Sequence, residues 1–240
     1  MRSSDLTVLV TGANGFIGRH LILELLNRGY AVIAGVREAS NVQRIQDLPV
    51  EIVRLNYLDQ DSLRDKLQET RPDFIIHNAG ITVGKQETDY FLGNTESTRN
   101  LLKASTEIGL SKFVYISSLA ARGPGKNPQD SPVSPYGKSK LEAETAVRLS
   151  GIDFTIIRPT AVYGPGDSAF DPIFAWANRG VILQLGSASR KLTFIHVSDL
   201  SRIIADSLHS GEVLHYGWDG RNYIQRDFTN ALRKATGKRG

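Results

Sequence analysis

The chain has 240 residues, 40% hydrophobic and 22% charged, with 29 basic against 25 acidic residues for a net charge of +4. This suits one soluble α/β domain with a small appended lobe, and the basic residues form no dense run interleaved with aromatics, which argues against a nucleic-acid partner. The absence of cysteine excludes disulfides, thiolate catalysis and thiolate zinc sites. Met1 to Leu6 run straight into the first strand with no room for a signal peptide, and no apolar stretch approaches the ~20 residues of a membrane span. A cytoplasmic protein with no membrane partner is the expectation.

Apolar runs alternate with helical patterns in a βαβ rhythm. A strand over Thr7–Thr11 leads into a helix over Gly15–Arg28, stopped by Gly29. Strands follow at Ala31–Val36 and Val50–Leu55, then a helix over Asp61–Glu69 that ends before Pro72. Strand Phe74–Asn78 precedes a helix over Thr88–Ile108, stopped by Gly109, and strand Lys112–Ser117 comes next. A helix over Tyr136–Leu149 ends near Gly151, and strand Phe154–Pro159 closes the series. The strands are nearly continuous Val, Ile, Leu and Phe, as parallel strands covered on both faces require, and glycine past each helix is the expected stop. Six strands with right-handed crossovers give a doubly wound parallel sheet in the order 3-2-1-4-5-6. Beyond Pro159 the rhythm breaks. A short helix is expected at Asp171–Asn178, short strands at Val181–Leu185 and Lys191–Ile195, a helix at Val197–His209, a strand at Gly211–Tyr216 and a last helix at Asp227–Ala235. Residues 1–160 read as a dinucleotide-binding domain to which residues 191–217 return. Residues 161–190 and 218–240 read as a small substrate-binding lobe.

The segment Thr11–Gly18 (TGANGFIG) sits at the first strand-to-helix junction, with Gly12, Gly15 and Gly18 separated by two residues each rather than in the commonest dinucleotide pattern. Gly12 permits the tight turn, Gly15 lets backbone N–H groups approach a pyrophosphate, and Gly18 lets the helix pack close to the sheet. The second strand ends in Gly35-Val36-Arg37, with no carboxylate before Glu38 to accept from a ribose 2′-hydroxyl. Arg37 is a fixed fork suited to a 2′-phosphate, so NADP is expected over NAD.

Tyr136 and Lys140 (YGKSK) place a phenol and an ammonium four residues apart on one helix face. A phenol titrates at ~10 in isolation, too high for ready proton exchange near neutrality, and a neighbouring ammonium together with a nicotinamide cation lowers it. Ser118, at the end of the fifth strand, offers a donor where charge develops on oxygen. The five histidines show no ligand spacing with acids, and no metal site is expected.

Together with Asn94–Leu102, Val114–Ser118, Arg158–Gly166 and Phe194–Leu200, these segments resemble the extended short-chain dehydrogenase/reductases, the NAD-dependent epimerase/dehydratase family, over nearly the whole chain. The resemblance implies a Rossmann-like fold with Tyr136 as acid/base and Lys140 on the nicotinamide ribose. Ser118 would bond the reacting oxygen, with Asn94 supporting the lysine. It implies cofactor contacts from Gly12, Asn14, Gly15, Phe16, Ile17, Gly18, Arg37, Asn78, Ala79, Gly80, Pro159 and Thr160. Asn56 stands where the family usually has an aspartate near adenine. The family also suggests a homodimer through the helices Thr88–Ile108 and Tyr136–Leu149.

Two features depart from the pattern. Ser118 and Tyr136 are only 18 positions apart, and the chain stops at Gly240 where the family usually continues, so the lobe is reduced or the chain is partial. The expected activity is hydride transfer between NADP or NAD and a hydroxyl or carbonyl carbon of a small organic substrate. The alternative is a nucleotide-sugar epimerase holding NAD tightly. A dehydratase is disfavoured because Leu119-Ala120 replace its acidic pair. A non-catalytic relative is disfavoured because both Tyr136 and Lys140 are present.

Overall fold

The computed structural model describes residues 6–124, 131–182, 187–210, 213–217, 221 and 223–238. The first half alternates β1 (Thr7–Thr11), α1 (Phe16–Asn27), β2 (Ala31–Arg37), β3 (Glu51–Leu55), α2 (Gln60–Thr70) and β4 (Phe74–His77). Helix α3 (Glu87–Tyr90) then runs through a π-helical segment, Phe91–Glu96, into α4 (Ser97–Thr106), followed by β5 (Lys112–Ile116), α5 (Pro135–Arg148) and β6 (Phe154–Pro159). The remainder comprises β7 (Ala161–Tyr163), α6 (Asp171–Asn178), β8 (Lys191–Leu192), β9 (Phe194–His196), α7 (Val197–Asp206), β10 (Val213–Gly217), β11 (Tyr223–Ile224) and α8 (Gln225–Thr236).

The main sheet is parallel, in the order β3-β2-β1-β4-β5-β6-β10. This is the expected doubly wound order with a seventh strand added at the β6 edge. Alternate residues along the strands feed two separate cores, as the two-residue period requires. Val8 and Val10 point into a core with Leu21, Ile22 and Leu25 of α1 and Leu200 and Ile204 of α7. Leu9 and Ile75 point the other way, toward Leu63 of α2, Leu101 of α4 and Val147 of α5. Every residue of β4, β5 and β6 is buried, which is why those strands read as unbroken apolar runs. Gly29, Gly109 and Gly151 all follow their helices with positive φ, and Arg71 does the same before Pro72 at φ 41°.

Two expected elements differ. The helix over Thr88–Ile108 is three pieces, because the π turn rotates Asn94 and Thr95 together onto the buried side. Lys191–Ile195 is two strands: β8 pairs antiparallel with β11, and β9 pairs parallel with β7. Part of Val181–Leu185 lies outside the described residues, as do the first two residues of Gly211–Tyr216. Around β7 and β9, the rings of Phe170, Phe194, Tyr223 and Phe228 stack and tilt on one another at 5.6–6.4 Å. They wall an aromatic cavity of about 380 Å³ together with Phe174 and Tyr163.

Candidate active site

The first glycine turn is crowded from two sides. Gly12 has φ +65°, and a Cβ there would stand 2.9 Å from the Ala79 backbone; one on Gly18 would stand 2.3 Å from the Gly12 carbonyl oxygen. Chain beyond β4 therefore lies directly against the β1–α1 turn. Thr11 Oγ1 accepts from the Ala79 N–H at 3.0 Å, and Asn78 Nδ2 donates to the Gly12 carbonyl at 3.4 Å. Gly15 caps α1 with no side-chain hydrogen bond, which leaves the first-turn N–H groups directed into the cleft.

Gly12, Asn14, Gly15, Arg37, Tyr57, Asn78, Ala79 and Gly80 line one cavity of about 220 Å³. It continues into a second of about 530 Å³, through Arg37, Tyr57, Ala79 and Gly80 to Asn56 and Leu92. A narrow polar channel opening into a broader apolar one fits a dinucleotide: pyrophosphate over the glycines, adenosine beyond. Of the other expected contacts, Phe16 lines a neighbouring cavity with Arg19 and His20, and Ile17 packs on the core. Pro159 ends β6, buried, with Thr160 next. Asn56 is exposed, its Oδ1 accepting from the Leu58 N–H at 3.2 Å.

At the end of β2, Arg37 is exposed, and Arg54 of β3 adds a second cation. Its guanidinium donates to the carbonyls of Arg37 and Ser40 at 3.4 and 3.5 Å, and also to that of Glu38. Glu38 lines the broader cavity as well, so the neighbourhood is not purely basic.

The helix α5 begins with Ser134 accepting from the Gly137 N–H at 3.1 Å and with Pro135 in the first turn. A Cβ on Gly137 would lie 2.5 Å from the Ala120 carbonyl oxygen, so the helix start sits hard against the turn after β5. That turn is Leu119–Arg122, capped by Ser118. The close docking brings the Tyr136 phenol beside the Ser118 hydroxyl. Lys140 is buried one turn on, donating to the Ile116 carbonyl at 2.8 Å with its Nζ 4.8 Å from the Tyr115 ring centre. Asn94 is fully buried on the π turn. Its Oδ1 accepts from the Ile81 N–H at 2.9 Å, and its Nδ2 donates to Ser139 Oγ at 3.0 Å. Gly80 separates the two: a Cβ there would be 2.7 Å from Asn94 Oδ1 and 3.3 Å from Lys140 Nζ.

Burial pushes the Tyr136 phenol up, and the Ser118 hydrogen bond offsets part of that rise. The lowering expected from the sequence is the joint effect of the Lys140 ammonium and a nicotinamide cation; here the Lys140 Nζ donates to the Ile116 carbonyl of β5. Burial pulls Lys140 down to about 8, against the opposing pull of the Glu144 carboxylate.

Residues 8–215 match the family described as NAD dependent epimerase/dehydratase. The chain belongs to that family. It is 34% identical to a ceramide reductase of Caulobacter vibrioides over 192 residues, which are 80% of this chain and 57% of that protein. It is 30% identical to a UDP-glucose 4-epimerase of Vibrio cholerae over 224 residues, 85% of this chain and 66% of that protein. The crystal structure of a Thermus thermophilus UDP-glucose 4-epimerase in complex with NAD superimposes with a TM-score of 0.84 at 26% identity, covering 97% of this chain and 84% of that one. The chain spans about half the length of the first curated relatives it matches.

Within this family fold, several residues of the site go unnamed in the sequence reading. Glu144 accepts two hydrogen bonds from Arg158, at 2.8 and 2.6 Å, and one from Ser117 at 2.5 Å. The signal was available: Arg158 is a charge inside a buried apolar strand and needs a buried partner. Among the described residues no cluster of three or more metal-binding side chains occurs, and no helix is long and apolar enough to cross a membrane. His77 is instead a bridge, its Nδ1 2.8 Å from Thr11 Oγ1 and its Nε2 3.0 Å from Thr98 Oγ1. It ties the first glycine turn to the helix carrying Asn94, whose carbonyl accepts from Thr98 at 2.6 Å.

Burial, followed by the Lys140 charge, lowers His77 to about 3. The unfolded chain takes up a proton near the ordinary histidine value of ~6.5 while the folded one does not. The stabilising effect is therefore complete above that value and is lost as pH falls from ~6.5 toward 3. From pH 7 to pH 5 this group should cost the fold ~2 kcal/mol. Urea midpoints at both pH values, in the wild-type chain and in His77→Asn, measure it. The variant should lack that part of the pH dependence, and equal slopes in the two proteins would contradict the assignment.

Proposed function

We propose that the chain is an NADP(H)-preferring oxidoreductase that moves a hydride between the nicotinamide and a hydroxyl or carbonyl carbon of a small organic substrate. The observation that carries this reading is the Tyr136 phenol beside the Ser118 hydroxyl, one helical turn from buried Lys140, whose Nζ lies against Gly80 of the glycine-lined cavity. The nicotinamide, when bound, supplies or accepts the hydride. In the reductive direction Tyr136 donates its phenolic proton to the substrate oxygen, and Ser118 donates a hydrogen bond to that oxygen as charge develops. Lys140 bonds the ribose and favours the phenolate by its charge, while Asn94 holds the Ile81 backbone and Ser139 in place beside it. The raised phenol suits the reductive direction, because a donor must hold its proton until the oxygen becomes basic.

The rim beside Tyr136 supports a substrate with apolar surface. The Tyr90 ring lies 6.2 Å from the Tyr136 ring, and Val133, three residues before Tyr136, is 76% exposed. The second reading, a nucleotide-sugar epimerase, is favoured by the likeness to the Vibrio and Thermus epimerases. Native mass spectrometry separates the two, since an epimerase retains NAD through purification and a reductase exchanges its cofactor. A homodimer through the helices expected at Thr88–Ile108 and Tyr136–Leu149 rests on the family resemblance, and a cytoplasmic setting belongs to the same reading.

Tyr136→Phe should lower turnover by ~10²–10⁴-fold on any carbonyl substrate that the chain reduces, with cofactor affinity nearly intact. Stopped-flow monitoring of nicotinamide absorbance with a panel of carbonyl compounds reads this, and turnover within about twofold of wild type would remove Tyr136 as the acid/base.

Cofactor choice rests on Arg37, with Arg54 behind it. A charge-assisted hydrogen bond is worth ~1.5–3 kcal/mol before solvent screening, which is substantial at this exposed position. NADPH should bind about tenfold tighter than NADH at low salt, the margin should shrink as salt rises, and Arg37→Ala should remove most of it. Calorimetric titration with each cofactor decides, and equal affinities in the wild-type chain would overturn the preference.

A further inference from the structure

Tyr136, Ser118 and Pro159 come from three segments, and α5 shares no backbone ladder with the two strands, so something must fix their spacing. The buried carboxylate of Glu144 is placed to do so. Its side chain is 1% exposed and faces the guanidinium of Arg158, itself 9% exposed, in a two-pronged pair with Nε at 2.8 Å and Nη2 at 2.6 Å. Its Oε1 also accepts from Ser117 Oγ at 2.5 Å. Ser117 precedes Ser118 at the end of β5, Arg158 precedes Pro159 at the end of β6, and Glu144 lies one turn beyond Lys140 on α5. One carboxylate therefore joins all three segments at the level of the reacting pair.

The same group acts on charge. Burial alone drives an ammonium toward its neutral form. From α5, Lys140 is faced by Glu144; from β5, by the Tyr115 ring at 4.8 Å; and from β4, by His77, whose protonation the Lys140 charge opposes. From β6 the nearest charge is Arg158, held on the far side of the Glu144 carboxylate. From the π turn comes the uncharged amide of Asn94. Glu144 is the anion in this set.

We propose that Glu144 is a positioning residue for the Tyr136/Lys140 pair: it docks α5 on the ends of β5 and β6 through Arg158 and Ser117 and is the anion on the helix that carries Lys140. The inference rests on the reading of Tyr136 and Lys140 as the reacting pair. Removing the carboxylate should let Lys140 lose its proton at lower pH, which weakens both the ribose contact and the support for the phenolate.

The test is the titration of Lys140 by the ¹³Cε shift of lysine-labelled protein, with Lys140→Met assigning the signal. In the wild-type chain the midpoint is expected at about 8. Glu144→Gln should lower it by about one pH unit, a tenfold change in the ionisation constant, whereas Glu144→Asp, which keeps the charge, should leave it within about half a unit. A purely structural role would lower the melting temperature without moving the midpoint, and an unmoved midpoint in folded Glu144→Gln would overturn the proposal. Should that variant fail to fold, Glu144→Gln/Arg158→Met removes both charges and leaves no unpaired buried ion. Its midpoint should also fall, and one that stays at the wild-type value has the same negative meaning. The titration needs neither cofactor nor substrate, so its failure leaves the reductase reading to stand or fall on Tyr136→Phe.

Discussion

The molecule is organised around one steric constraint, the contact between the β1–α1 turn and the chain leaving β4. Gly12 can turn left-handed, and the Ala79 backbone can approach it, only because neither Gly12 nor Gly18 carries a side chain. Once that contact is made, Gly12, Gly15 and Gly80 line one cavity, and Gly80 lies against Asn94 and Lys140. The glycine turn is also tied beneath the surface to the helix that follows Asn94, by the Thr11–His77–Thr98 bridge.

Much of this is legible in the sequence because the sheet is covered on both faces. Runs such as Phe74-Ile-Ile-His and Phe154-Thr-Ile-Ile have no solvent side to mark with polar residues, so continuous hydrophobicity locates them to within about one residue. The helix ends are legible for a different reason: Gly29, Gly109 and Gly151 occupy left-handed positions that other residues avoid. Ser118, Tyr136, Lys140 and Asn94 converge as their motifs suggest, because the glycine at position 137 admits the Ala120 carbonyl.

What escaped the sequence is long-range or departs from a regular period. A π turn adds one residue per turn without changing composition, so Phe91–Glu96 reads as plain helix although it is what buries Asn94. The edge position of β10 depends on pairing with β6, which no local pattern records. Burial raises the Tyr136 phenol, and the depth of a side chain is a property of packing. Arg54 and Glu144 were visible as residues but not as neighbours of Arg37 and Ser117.

The lobe built on Phe170, Phe194, Tyr223 and Phe228 gives the fold a second, aromatic surface away from the glycine cleft. The glycine-lined cleft, and not that aromatic surface, has the lining to hold a dinucleotide. Amide hydrogen exchange with and without NADPH tests it most directly. Slowed exchange at residues 12–18 and 78–81, with α6 and α8 unchanged, is the result this account predicts. Protection confined to α6 and α8, or none at residues 12–18 at saturating NADPH, would contradict it.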